Sequence, residues 1–507
     1  MAYLIGCDLG TTATKTALFN DKGELIVVEK VDSNIIYGDD RSVTQDPYEM
    51  FQSVIQSVKK VMEKSGISPD QVEAIALDGQ MAGIMGVDAQ GEAATPYDSW
   101  LDFRSADYAE KMKKEAEDFI FRQSGMGPSI NHGPKILWWK HERPEIYRKI
   151  KKFTIPSSWI TQKLAGLSGE DTFMDYTNIH FSCFADLRNI AWDKEILQIF
   201  DVEEDKFPRI VEPWMQVGQL QQPWAKEMGL TAGIPLIAGC GDQAANALGA
   251  GVSEPGIAFD VAGTASCFSL FVDEYNPDIK YKALMFPRSV LKDFYYPMAY
   301  INGGGMDLEW AKKELFREWA DSPEAFRLME QEVQKNAPKP SGIVFIPHLR
   351  GRNFPTQPWL RGVFAGFSWD HRRENLYRTI LEGIAFEYAY YLKVIRELIP
   401  TLTFKEVRVI GGGAKSPLWN MIKASILKVP YIELNRQEFA VWGSAMIAGY
   451  AVGVFQDLQK TSLNSVEKKK VHLPDEELSK TYDKFIPYYL ETMDRMNEVF
   501  EHYRELL

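Results

Sequence analysis

The sequence predicts an α/β protein built from two domains of one plan, and three observations carry that prediction. A hairpin of strand, aspartate, Gly/Thr turn and strand opens the chain between Tyr3 and Phe19, and it recurs between Ile257 and Phe271. In each half a long helical stretch precedes an apolar strand with glycine at its end, at Val72–Gly79 and again at Val407–Gly413. Between the two copies, Gly249, Gly251, Pro255 and Gly256 gather into a boundary. Repetition in fixed order at half-chain distance marks an internal duplication. It overrides the three or so domains that 507 residues suggest at about 150 per domain. Domains of 1–247 and 248–507 are expected.

The elements follow in order. Tyr3–Asp8 reads as a strand, Leu9-Gly10-Thr11-Thr12 turns, and Lys15–Phe19 is a second strand. The tetrad Asn20-Asp21-Lys22-Gly23 turns again into a third strand, Glu24–Val28, which completes an antiparallel meander. Asp46-Pro47 starts a helix whose Met50, Phe51, Val54, Ile55, Val58, Val61 and Met62 recur at helical spacing. A strand from Val72 to Leu77 ends in Asp78-Gly79-Gln80. Pro235–Ala244 reads as strand, glycine turn and helix start, with a helix over Gln243–Leu248. In the second half, Glu374–Leu398 is helical and leads to the strand Val407–Ile410 and Gly411-Gly412-Gly413, before a helix from Pro417.

Composition excludes several function classes. Hydrophobic residues make up 45% and charged residues 25%, and the net charge is −13. A diffusely acidic surface repels phosphate backbones and anionic lipid, so nucleic acid and membrane are not expected partners. Lys468-Lys469-Lys470 is followed by acids and reads as a solvated run. The four cysteines, Cys7, Cys183, Cys240 and Cys267, show no paired spacing, and the seven histidines form no metal-spaced cluster. No apolar run is long enough for a signal peptide or a membrane span, so a reducing cytoplasm is expected.

Several turns carry chemistry. Asp8-Leu9-Gly10-Thr11-Thr12 sets a carboxylate beside glycine-opened backbone and two hydroxyls. Such a loop binds phosphate oxygens, and the acid can hold hydrated Mg²⁺. One such turn alone is more often a plain hairpin; the second copy at Gly263-Thr264-Ala265 reverses that preference, because two facing hairpins would clamp a triphosphate. Gly239-x-Gly241-x-x-Ala244, with Asp260 downstream, imitates a dinucleotide fingerprint. It does not open a domain, and Asp260 lies in the repeated hairpin, so a nicotinamide cofactor is disfavoured. Asp242, at a strand end opened by glycines, is either a helix N-cap or a group placed to take a proton from a substrate hydroxyl. Gly411–Gly413 with Ala414 permits close approach of a flat ligand or phosphate. Gln80-Met81-Ala82-Gly83 and Trp100-Leu101-Asp102-Phe103-Arg104 supply the amide, acid, guanidinium and indole that suit a polyhydroxy ligand. P-loop and G-x-S-x-G sequences are absent.

In their order along nearly the whole chain, these residues resemble the FGGY carbohydrate kinase family of the actin-like superfamily. Asp175-Tyr176-Thr177, Gly241-Asp242-Gln243, Gly362-Val363-Phe364-Ala365-Gly366 with Glu382-Gly383, and Trp442-Gly443-Ser444-Ala445 complete the match. The resemblance implies two actin-like (ribonuclease H-like) domains around a catalytic cleft, with sugar on the first and nucleotide on the second. It implies ATP and Mg²⁺ as cofactors and phosphorylation of a small sugar, with a homodimer left open. Asp242 would be the base, with an ordinary carboxylate pKa sufficient for the task, and Asp8 would hold the metal. Gly10, Thr11, Thr12, Lys15, Gly263 and Thr264 would contact phosphates, and Gly411, Gly412, Gly413 and Ala414 the nucleotide. Gln80, Met81, Trp100, Asp102, Arg104, Asp242 and Gln243 would contact the sugar.

Within the family the chain is most similar to xylulokinases, which implies a ketopentose. Three departures bear on that: Ala82 where those enzymes carry histidine, Gly351-Arg352-Asn353-Phe354-Pro355 in place of Gly-Glu-Arg-x-Pro, and Gln243 after Asp242. Ribulose, glycerol, erythritol and gluconate are the alternative substrates, and a non-catalytic sugar or nucleotide sensor is the alternative class.

Overall fold

The computed structural model describes residues 2–506. By packing, the chain divides into two units. The first comprises Met1–Ser253, Phe286–Tyr295 and Arg436–Val466, and the second Glu254–Met285, Tyr296–Asn435 and Glu467–Leu507. A single cut at 247/248 therefore differs from the packing: the helix Asp242–Gly249 lies wholly in the first unit, the change comes at Ser253, and two later segments return to the first unit.

In the first unit the strands are β1 (Tyr3–Leu9), β2 (Ala13–Asn20), β3 (Leu25–Asp32), β4 (Val72–Gly79), β5 (Gln216–Gln219) and β6 (Pro235–Gly241). They form a sheet in the order β5-β6-β4-β1-β2-β3. β1, β4 and β6 run parallel, while β2, β3 and the edge strand β5 complete it by antiparallel pairing. In the second unit β7 (Ile257–Ala262), β8 (Ser266–Leu270), β9 (Met298–Ile301), β10 (Glu406–Ile410), β11 (Tyr431–Leu434) and β12 (Lys468–His472) follow the order β9-β8-β7-β10-β11-β12. Read from the meander edge, both sheets have the same succession of antiparallel, antiparallel, parallel, parallel and antiparallel pairs. The duplication expected from the sequence is thus present in the pairing itself. Lysines along the exposed edge strand β12 guard an open sheet edge.

The repeat carries a one-residue slip that the sequence hides. β1 closes its hairpin with Leu9 opposite Thr14, whereas β7 closes with Ala262 opposite Ser266. Matching the strand ends sets Asp8 against Val261 and Asp260 against Cys7. Side chains alternate between faces, so Asp260 points to the other side of its sheet from the position Asp8 takes. There it is fully buried, paired with Lys423 Nζ at 2.6 Å and accepting the Tyr388 hydroxyl at 2.9 Å. Asp260 is a core ion pair, not a second copy of Asp8. β7 and the strand of Gly239 and Gly241 also belong to different sheets, so the dinucleotide fingerprint is not realised.

Helices cover both faces of the first sheet. Pro47–Ser65 is capped by Asp46, whose carboxylate accepts the Tyr48 N–H at 2.8 Å, and its buried face carries the residues that the periodicity marked. The opposite face is closed by Asp242–Gly249 and by Phe439–Ala451, which lies along β1, β4 and β6. The approach requires glycine at position 6, since a Cβ there would fall 1.9 Å from the Val441 carbonyl oxygen. Among the described residues no helix is long and apolar enough to cross a membrane.

Candidate active site

Three carboxyl groups meet at the C-terminal ends of adjacent parallel strands in the first unit, where open α/β sheets bind ligands. Asp8 ends β1, Asp78 ends β4 directly beside it, and Asp242 follows β6. The bend that delivers Asp242 depends on Gly239, at φ +78°, where a Cβ would lie 1.7 Å from the Leu77 carbonyl oxygen. Asp242 is not the N-cap of its helix, a place taken by Gly241; its own carboxylate accepts the Gln243 N–H at 2.6 Å. Burial raises the Asp242 pKa to about 7, and the charge of Asp8 adds to the rise. The ordinary carboxylate value expected from sequence is thereby corrected.

Asp78 escaped the sequence reading. The signal was present, an acid ending a buried apolar strand as Asp8 does, but nothing in the sequence sets the two side by side. Its side chain is fully buried, with Oδ2 accepting the Ser444 hydroxyl at 2.6 Å and no donor reaching Oδ1. Burial, then Asp8, and further on Asp242, push its pKa well above the usual range. Burial also raises Asp8, offset by the neighbouring Asp78 side chain and by Lys15. Of the two, Asp78 is raised the further. Its folded pKa exceeds the unfolded value, so the folded state holds the extra proton and loses stability as pH rises through the folded pKa. Asp78→Asn is therefore expected to raise the melting temperature at pH 8 and to change it little near pH 2.5, where both states are protonated. Thermal unfolding at the two pH values checks this, and an unchanged or lower melting temperature at pH 8 would refute it.

Around the acids, the structure joins residues that the sequence assigned to different ligands. The Thr11 hydroxyl lies 3.2 Å from Gln80 Oε1 and receives the Trp100 indole N–H at 3.1 Å. Gln80 donates to Gln45 at 2.7 Å, and Gln45 donates to the Thr11 carbonyl at 3.2 Å. Gln45 is a further residue the sequence did not single out. Lys15 is paired with Glu438 at 2.6 Å. Gly10 and Thr12 complete the hairpin, Met81 packs on Gly241, and Ala82 adopts a left-handed backbone at φ +66°.

Asp102 and Arg104 are brought together and largely occupied with each other. Arg104 Nε lies 2.9 Å from Asp102 Oδ2, its Nη2 lies 2.7 Å from Asp98, and its guanidinium stacks 4.3 Å over Trp138. Asp102 also accepts the Val43 N–H at 2.9 Å, and Asp98 accepts the Trp139 indole at 2.6 Å. Asp102 thus orients Arg104. Burial pushes Asp98 up to about 6 and draws Lys135 down to about 8.

In the second unit, Gly411 packs against the backbone of Ala262 and Gly263, which joins the two glycine segments singled out there. The Gly263 and Thr264 carbonyls accept the first N–H groups of the helix Gly305–Leu315, at 3.1 and 3.0 Å. Gly412 has open space where a side chain would stand, and Asn420 holds the Ala414 carbonyl at 2.9 Å. Among the described residues no group of three or more His, Cys, Asp or Glu is arranged to hold a metal by itself. The carboxylate oxygens of Asp8 fit a hard cation such as Mg²⁺, which keeps its waters and relies on few protein ligands.

Comparison with known proteins matches these features. The model of the FGGY family of carbohydrate kinases, N-terminal domain, matches residues 3–249, and the C-terminal domain of the same family matches 259–452. A gluconokinase of Bacillus licheniformis is 26% identical over 499 residues, covering 96% of this chain and 95% of the relative. A xylulose kinase of Bacillus subtilis (strain 168) is 26% identical over 513 residues, covering 100% of each. The crystal structure of gluconate kinase from Lactobacillus acidophilus superposes with a TM-score of 0.90 at 23% identity, over 99% of both chains. Xylulose kinase from the same organism gives 0.89 at 23% identity, over 99% of this chain and 100% of that one. With both domain models matched in order across the chain, and the two-domain actin-like α/β fold in place, this protein belongs to the FGGY family of carbohydrate kinases.

Proposed function

We propose that the chain transfers the terminal phosphoryl group of ATP to a primary hydroxyl of a small sugar, a ketopentose such as xylulose. The observation that supports this best is Asp242: a carboxylate at a parallel strand end, held near pKa 7, where a general base works best at neutral pH. Asp242 accepts the proton of the attacking hydroxyl. Asp8 would hold Mg²⁺ through water, and the bound cation supplies charge neutralisation on the phosphate oxygens. Gly10, Thr11, Thr12 and Lys15 serve the phosphates from the first unit, and Gly263, Thr264 and Gly411–Ala414 serve the nucleotide from the second. Gln80, Met81, Trp100, Arg104 and Gln243 bind the sugar, and Asp102 positions Arg104. The relatives named gluconokinase make gluconate the second candidate.

Coupled ADP production from MgATP tests the reading over D-xylulose, L-xylulose, D- and L-ribulose, glycerol, erythritol, fuculose and gluconate. One ketopentose far above the rest is the expected result. ADP release that no sugar stimulates would reject the kinase reading.

A further inference from the structure

Asp242 is delivered by a stretch of backbone with little stiffness of its own. Between Ile237 and Cys240 the pairing of β6 with β4 slips its register. Gly239 is left-handed at φ +78°, and Gly241 directly precedes Asp242. Glycine at both positions leaves the chain more conformational freedom than any other residue would. No side chain can steady position 241, because a Cβ there would fall 2.3 Å from the Met81 methyl group. The Asp242 carboxylate in turn accepts the N–H of its own neighbour, Gln243, at 2.6 Å. Its aim therefore follows from where the backbone at Gly241 is held.

Hydrogen bonds from outside the central sheet hold it. The Ala238 and Gly239 N–H groups go to the carbonyls of Met215 and Pro213, each at 2.9 Å. The Gly241 N–H, the last before the base, goes to the Thr177 hydroxyl at 2.9 Å. Thr177 is fully buried. It follows the short strand Phe173–Asp175, which pairs with Arg209–Val211 in a sheet of its own.

Thr177 is fixed from the other side as well. The Asp175 carboxylate accepts the Thr177 N–H at 2.9 Å, the Thr177 hydroxyl, and the Asn178 amide at 2.8 Å. Burial raises the Asp175 pKa to about 6, so at neutral pH it is ionised and only accepts. The hydroxyl proton is thus committed to Asp175, which leaves an oxygen lone pair for Gly241. Tyr176, between the two, anchors the turn: its N–H meets the Val211 carbonyl at 3.1 Å, and its hydroxyl donates to the Val290 carbonyl. A line of contacts runs from this pinned turn through Thr177 and Gly241 to the carboxylate of Asp242.

We propose that Thr177 is a positioning residue for phosphoryl transfer: its hydroxyl sets the backbone of Gly241 and thereby the reach of Asp242 toward the substrate hydroxyl. The proposal rests on the kinase reading with Asp242 as base. Support of this kind matters because a displacement of about 1 Å at a reacting group costs on the order of 10²-fold in rate. Thr177 spends both its hydrogen-bonding roles on Asp175 and Gly241, so its effect falls on turnover rather than on binding.

The test compares Thr177→Val, which keeps the shape and loses the hydroxyl, with Thr177→Ser, which keeps the hydroxyl, in the full chain. Coupled ADP production on the best sugar of the panel and calorimetric titration of MgATP are measured for each. Val is expected to lower kcat by about 10- to 100-fold, with KM for the sugar and Kd for MgATP within about twofold of wild type. Ser should recover most of that loss. Asp242→Asn and the double variant Thr177→Val/Asp242→Asn complete a cycle. If Thr177 acts through the base, the double variant is no slower than Asp242→Asn alone. Losses that multiply in the double variant, a Val variant with wild-type kcat, or one whose KM rises while kcat holds each overturn the inference and leave the kinase reading standing. Where Val does not fold, Thr177→Ala takes its place in the same cycle. Wild type whose ADP release no sugar stimulates rejects the kinase reading, and the inference falls with it.

Discussion

Lys423→Met is expected to destabilise the protein by about 3–5 kcal/mol, the usual cost of leaving one member of a buried ion pair without the other. Lys423 and Asp260 are both fully buried, 2.6 Å apart, and the ammonium also lies 3.6 Å over the Trp419 ring. Methionine keeps the volume and removes the charge, so the loss falls on the stranded Asp260, which keeps the hydroxyl of Tyr388 and the nearby Tyr431. The double variant Asp260→Asn/Lys423→Met leaves no buried charge and should recover most of the stability. Urea midpoints of wild type, both single variants and the double variant give the coupling energy directly. A single variant that loses less than about 1 kcal/mol would show that the pair does not hold this core together.

The second large effect concerns Asp242. Asp242→Asn keeps the shape and removes the base, and should lower turnover by about 10²–10⁴-fold while MgATP still binds. The pH dependence has a definite sign. Because the carboxyl is raised to about 7, it is protonated and inactive as a base below that value. The wild-type kcat/KM should therefore climb as pH rises through about 7 and level off above it. A rate–pH profile on the best sugar, run beside calorimetric titration of nucleotide into the variant, checks both. Near-normal turnover of the Asn variant would remove Asp242 from the chemistry.

Much of the fold was legible because its signals are local. Asp46 before Pro47 announces a capped helix, the Asn20–Gly23 tetrad announces a turn, and both meanders are short apolar runs bounded by turn residues. The order of the repeated strands then implied the shared sheet plan. What the sequence did not reveal is set by register and packing. Asp260 imitates Asp8 in a linear reading, and only the shorter second hairpin turns it to the other face. Asp78 becomes part of an acid cluster through lateral pairing with Asp8, which no spacing encodes. Asp102, read as a sugar contact, also pairs with Arg104 and accepts the Val43 N–H, which no spacing shows. Phe439–Ala451 was not singled out as a helix, and although it is apolar almost all round, its composition does not say which sheet it covers.

That last helix bears on how the protein is made. A ribosome that has finished the first 253 residues has released a sheet whose face at Gly6 is still bare, because the segment that closes it, Arg436–Val466, is not yet synthesised. The first half therefore cannot mature as the nascent chain emerges; it waits, with β1 and Asp78 uncovered, until the second half has almost been translated. Ser444, which holds Asp78, arrives in the same late segment. Catalytic competence is thus deferred to the end of synthesis, and a chain truncated near residue 430 carries every acid of the site without the helix that sets them in place.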